Sequence, residues 1–209
     1  FNPDITISVA TITENMEYCY RNGTADEVLY IQSGEGKFIS NFGNIQIKPG
    51  DYMVIPRGVI WQMSPSETVR MLVIESAGPV ETPNRYRNRF GQLLEHSPFC
   101  ERDIQVPVLQ DPITNNDECL VKVKTQGGIQ EYTYAHHPCD VVGWDGYYFP
   151  WSMSIHDFEP IVGSIHQPPP VHQTFQANGF VICSFVPRLF DFHPDAIPAP
   201  YPHSNVDSD

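Results

Sequence analysis

Three of the four histidines that sit among prolines late in the chain, His166, His172 and His203, stand out, and a carboxylate, Glu27, opens a β-branched run near its start. Imidazole and carboxylate are the donors by which proteins hold a redox-active transition metal. Two nitrogens and one oxygen on one face leave the remaining positions open to substrate. Near neutral pH an imidazole can instead carry a proton to or from a reacting group. Each residue also has a plain role: a His beside Pro is an ordinary solvated turn residue, and Glu27 is expected as a strand-edge or turn hydrogen-bonding partner. The adjacent pair His136-His137, if on a strand, points to opposite faces and cannot easily share a metal. Arg188 could clamp a carboxylate or equally pair with Asp191. The five cysteines, Cys19, Cys100, Cys119, Cys139 and Cys183, are odd in number, widely spaced and without a CxxC pair, so neither a disulfide framework nor a zinc site is expected.

The elements that must position these groups are strands. Short β-branched and aromatic runs, EVLYIQ, GKFIS, NIQIK, DYMVIP and VRMLVIE, follow one another from Glu27 with Gly, Pro or Asn turns between them, and LVKVKTQ and IQEYTYA appear later. No helical period separates them, which predicts an all-β barrel or sandwich. With 41% hydrophobic and 18% charged residues the 209-residue chain can bury a sizeable core. Twenty prolines and fourteen glycines interrupt every apolar run, so no membrane span is predicted. A net charge of −13 repels phosphates and makes nucleic acid an unsuitable partner. The aromatic group Trp144, Tyr147, Tyr148, Phe149 and Trp151 suits packing between sheets and contacts between subunits. No secretion signal is evident, and a cytoplasmic location is the expectation.

Two segments resemble the paired motifs of the cupin superfamily, whose fold is a jelly-roll barrel. Glu27 to Gly34 fits the first, and Gly50-Asp-Tyr-Met-Val-Ile-Pro56-Arg-Gly58-Val-Ile-Trp61 fits the second until its last residue, where Trp61 replaces the ligand His. Tyr20 stands where the first motif's leading His often falls. One carboxylate without imidazoles cannot supply three ligands, so this barrel is expected to hold no metal. Tyr201-Pro-His203-Ser-Asn205 through Asp209 repeats Tyr18-Cys-Tyr20-Arg-Asn22 through Asp26 at a constant offset, with His203 in the place of Tyr20. This predicts the opening of a second cupin near residue 180, with a Glu to follow Asp209. Asp209 itself, matching Asp26, would face away from a metal.

Larger blocks resemble the homogentisate 1,2-dioxygenase family: GPVETPNRYRNRFGQLLEHSPFCERDIQVP, DVVGWDGYYFPWSMSIHDFEP, and SIHQPPPVHQTF running on to FVICSFVPRLFDFHPDAIPAPYPHSNVDSD. The resemblance implies three parts. These are a metal-free cupin-like barrel core at 1–77, a β-rich segment packed on it at 78–160, and the start of an iron-binding cupin at 161–209. It implies an extradiol-type enzyme of tyrosine and phenylalanine catabolism using Fe(II), with a small aromatic acid and O2 as substrates. A homo-oligomer, trimer or hexamer, is implied as well. His203 matches the first iron ligand, and His166 matches the catalytic His that would deprotonate a ring hydroxyl, with His172 as the alternative. A chain ending at Asp209 would then be catalytically silent alone. A cupin retained for binding or scaffolding, or a dioxygenase for another dihydroxyaromatic acid, remains the competing expectation.

Overall fold

A computed structural model describes residues 2–115, 117–160 and 172–187. The strands among them are β1 (Ile5–Ile12), β2 (Cys19–Asn22), β3 (Asp26–Ser33), β4 (Gly36–Ser40), β5 (Gly43–Ile47), β6 (Asp51–Ile55) and β7 (Ile60–Pro65). They continue with β8 (Val69–Ser76), β9 (Ile104–Gln105), β10 (Cys119–Thr125), β11 (Gly128–Tyr134), β12 (Trp151–Ser154), β13 (Gln173–Ala177) and β14 (Phe180–Cys183). Helical structure among the described residues is confined to three single 3-10 turns. The protein is all-β, as expected, and every run singled out in the sequence is a strand. No helix in the described residues is long and apolar enough to cross a membrane.

Two six-stranded sheets form a cupin-type jelly roll. The first has the order β1-β8-β3-β6-β12-β9 and the second β11-β10-β2-β7-β4-β5, with β13 and β14 as a separate hairpin. The core between the sheets draws Leu29, Ile31, Met53, Ile55 and Met71 from the first and Phe38, Ile45, Ile47, Trp61 and Met63 from the second. The first sheet is covered on its outer face too. Val28, Tyr52, Val54 and Ile74 pack there beneath Val80, Phe99, Phe158 and Phe175. Burial on both faces explains why EVLYIQ and DYMVIP read as nearly continuous apolar runs. Phe175, on β13, is fully buried against Tyr52 and Trp151, so Phe175→Ala would cost about 3–5 kcal/mol.

The motif glycines serve turns, as expected. Gly34 and Gly50 have φ of 83° and 92°, a region other residues avoid. A Cβ at Gly34 would lie 2.2 Å from the Thr68 carbonyl oxygen.

Strands from 78–160 extend both sheets: β9 and β12 lengthen the first, β10 and β11 the second. Among the described residues all strand pairs are antiparallel except one. β10 runs parallel to β2, with Val121 beside Cys19 and Lys124 beside Asn22. The aromatic group divides: Trp151 packs inward, Trp144 leans edge-on against Phe42 at 5.0 Å, and Tyr147 is fully exposed. The expected opening of the second cupin falls mostly outside the described residues.

Candidate functional site in the barrel interior

The two degenerate motifs converge inside the barrel. Tyr20 on β2 lies directly opposite Trp61 on β7, and their rings meet edge to face at 5.4 Å, with Phe38 stacked on Trp61 at the same distance. Glu27 lies on β3, in the middle of the first sheet, and alternation along the strand turns it inward with Leu29 and Ile31. It is therefore no strand-edge or turn partner. It is 3% exposed, and the covering of both faces of β3 is what makes so polar a position interior.

A buried carboxylate must be satisfied by hydrogen bonds or neutralised. Trp61 Nε1 donates to Glu27 Oε2 at 3.3 Å, and Asn22 Nδ2 donates to Glu27 Oε1 at 3.1 Å. The same amide donates to Glu75 Oε1 at 2.7 Å. Glu75 lies across from Glu27 on β8, so Asn22 bridges two facing carboxylates. Lys124 Nζ, brought in by the parallel strand β10, donates to both Glu75 oxygens at 2.6 and 2.7 Å. Asn22 Oδ1 meanwhile accepts from the amides of Thr24 and Ala25, locking its orientation.

Burial pushes the Glu27 carboxyl up to about 7, with the Glu75 carboxylate adding to the rise and the Asn22, Trp61 and Tyr20 hydrogen bonds opposing it. The Tyr20 phenol is raised as well, first by burial and then by the Glu27 and Glu75 carboxylates. The residues around Glu27 do not fit an iron ion. An indole N–H and a phenol stand where two imidazole lone pairs would be required, and the donors satisfy the carboxylate instead. The cluster can hold a proton and anchor strands from both sheets.

Of His166, His172 and His203, only His172 is described. It precedes β13, and its Nδ1 lies 2.9 Å from the Ser184 carbonyl oxygen. A carbonyl only accepts, so Nδ1 carries the proton and the neutral ring holds its lone pair at Nε2. Phe185 packs on the ring at 5.0 Å. His166, His203, Arg188 and Asp209 lie outside the described residues.

Sequence reasoning missed a second constellation. His136 and His137 lie beyond the end of β11, not on it, so strand alternation does not govern them. The cysteines are not scattered either, because Cys19, Cys119 and His137 meet on the outer face of the second sheet. No spacing rule would find them, since they are joined by the parallel pairing of β2 with β10 across a separation of 100 residues.

Comparison with known proteins places this arrangement. The amino-terminal family of homogentisate 1,2-dioxygenases matches residues 2–155. A dioxygenase-like protein of Saccharolobus solfataricus is 45% identical over all of this chain and 54% of its own length. Homogentisate 1,2-dioxygenases of Nitrobacter hamburgensis and Bradyrhizobium diazoefficiens are 31% and 29% identical over 77% and 78% of this chain, in each case 36% of theirs. The chain thus spans about half the length of one relative and about a third of the others. A cupin-2 domain protein of Shewanella frigidimarina overlaps 36% of this chain and 74% of its own, at 21% identity and a TM-score of 0.33, too partial an overlap to bear weight. With 154 of its residues inside the family's span and both cupin motifs folded together, the chain belongs to the homogentisate 1,2-dioxygenase N-terminal family of the cupin superfamily.

Proposed function

We propose that this chain is the amino-terminal part of an Fe(II)-dependent, extradiol-type dioxygenase that opens the ring of a dihydroxyaromatic acid, homogentisate by family, with O2. The family match over residues 2–155 carries the reading. The barrel's share is positional: its interior is filled by Tyr20, Phe38 and Trp61, and its one inward motif carboxylate is held by Asn22 and Trp61. The iron is assigned to His203 together with a second imidazole and a carboxylate from sequence following Asp209. When bound, it supplies a Lewis acid for the ring hydroxyl and an electron partner for O2.

His166 is the proposed base for a ring hydroxyl. His172, whose Nδ1 lies 2.9 Å from the Ser184 carbonyl oxygen, is the alternative. Assembly into trimers or hexamers is part of the reading, and the exposed Val142, Trp144 and Tyr147 offer an apolar surface for it. The five free thiols accord with a reducing cytoplasm.

Oxygen consumption by the full-length protein tests the reading. His203→Ala should lose iron, whereas His166→Ala should keep iron and lose about a hundred- to ten-thousand-fold in turnover. Loss confined to His172→Ala moves the base role there. Iron-loaded full-length protein that consumes no O2 with homogentisate or another dihydroxyaromatic acid would overturn it.

A further inference from the structure

Cys19 is the neighbour of Tyr20 on β2, and strand alternation points it the opposite way, onto the outer face of the second sheet. Parallel pairing sets it beside Val121 of β10. Cys119, two residues earlier on β10, faces the same side. The two Sγ atoms are 3.7 Å apart. Beyond β11 the chain returns over this face, pinned by Ile113 N–H donating to the Cys139 carbonyl at 3.0 Å, while Cys139 N–H donates to His137 Nδ1 at 3.1 Å. One ring nitrogen of His137 and the Sγ atoms of Cys19 and Cys119 lie within 4.8 Å of one another.

Distance separates two chemistries. A disulfide holds its sulfurs about 2.05 Å apart. Tetrahedral zinc, with Zn–S of about 2.3 Å, sets its thiolates about 3.8 Å apart. Two thiols in plain contact have a similar spacing, so the additional donor decides: a hydrophobic contact needs no imidazole. The geometry points to a zinc site formed by Cys19, Cys119 and His137, with its fourth position open to a further donor. Thiolate-rich donors select zinc over hard cations such as calcium or magnesium. The site would tie β2, β10 and the 137–141 return together, and it is independent of the proposed iron centre.

Burial first, and then the neighbouring thiols, push the Cys19 thiol up, so it keeps its proton until a divalent cation displaces it. Burial lowers the His137 ring, with Asp140 opposing, which favours the neutral imidazole a metal needs.

Titration of the reduced, metal-free chain with Co2+ under anaerobic conditions tests the site directly. One equivalent should produce a thiolate-to-cobalt charge-transfer band and tetrahedral ligand-field bands, both displaced by one equivalent of Zn2+. Two protons should be released per ion at neutral pH, one for each thiol. Release of none would show that the thiols do not bind the metal. Cys19→Ser, Cys119→Ser or His137→Gln should abolish or recast the spectrum, while Cys100→Ser and Cys183→Ser leave it unchanged. Should the ligand variants fail to fold, the titration of the natural chain decides alone. Absence of a charge-transfer band there, or an unaltered band in folded Cys19→Ser and Cys119→Ser chains, would overturn the site.

Discussion

Cys19 and Tyr20 are consecutive on β2, yet the surroundings they enter differ in kind. Tyr20 meets Trp61 and Glu27, where cupin spacing looks for metal ligands, and there aromatic rings and an amide have replaced them. Cys19 meets Cys119 and His137, where no motif looks, and there the donors are soft and convergent. The inner face keeps the architecture of a metal site with its chemistry converted to hydrogen bonding. The outer face assembles ligand chemistry from strands that the motif does not relate. Motif position and the convergence of side chains that could hold a metal are therefore separable in one barrel.

The inner half of the comparison breaks most readily at Asn22. Its replacement by Ala removes the donor shared by Glu27 and Glu75 and the acceptor for Thr24 and Ala25. We expect a loss on the order of 3–5 kcal/mol in urea unfolding. A loss below about 1 kcal/mol would mean that the cluster is not a structural anchor.

Next in size is a pH effect. The Glu27 carboxyl is raised from 4.5 to about 7 on folding, so the folded chain binds the proton more tightly than the unfolded one. That stabilisation is fully present below about pH 4.5 and is lost as pH climbs through about 7. The decline should be on the order of 3 kcal/mol, and Glu27→Gln should flatten it. Equal slopes in the two proteins would assign the titration elsewhere.

Smaller still is Trp61→Phe, which keeps the ring contacts with Tyr20 and Phe38 and deletes the N–H donated to Glu27. A cost of about 1–3 kcal/mol is expected in the same unfolding assay. It should grow as pH rises and the carboxylate ionises. A pH-independent cost would reduce Trp61 to a space filler. Least of all, Lys122→Ala removes an ion pair between a half-buried lysine and the exposed Glu131, together with the contact of the lysine with the Tyr18 ring, and should change stability by about 1 kcal/mol or less.

Much of the barrel was legible in sequence because its information is local. Period-two runs between glycine turns gave the strands, and Gly34 and Gly50 occupy the backbone conformations that make glycine necessary there. The Tyr20 and Trp61 substitutions were legible by position, and the structure sets the two rings face to edge. What escaped was non-local. Glu27 was expected at an edge because nothing in its vicinity shows that β3 is flanked by both β8 and β6. Lys124, the partner of Glu75, and Cys119, the partner of Cys19, both ride on β10, whose parallel alignment with β2 no pattern of spacing encodes.

That alignment also sets a schedule for the chain as it is made. β2 has β7 on one side soon after synthesis, but its other edge stays unpaired until β10 appears about a hundred residues later. At roughly 5–20 residues per second this is a wait of about 5–20 s with an open strand edge beside a nearly complete core. Contacts of such sequence separation slow folding by their loop-closure cost. The nascent barrel is thus most open to mispairing with a neighbouring chain in that interval, and the ordering of β10 is the event that ends it.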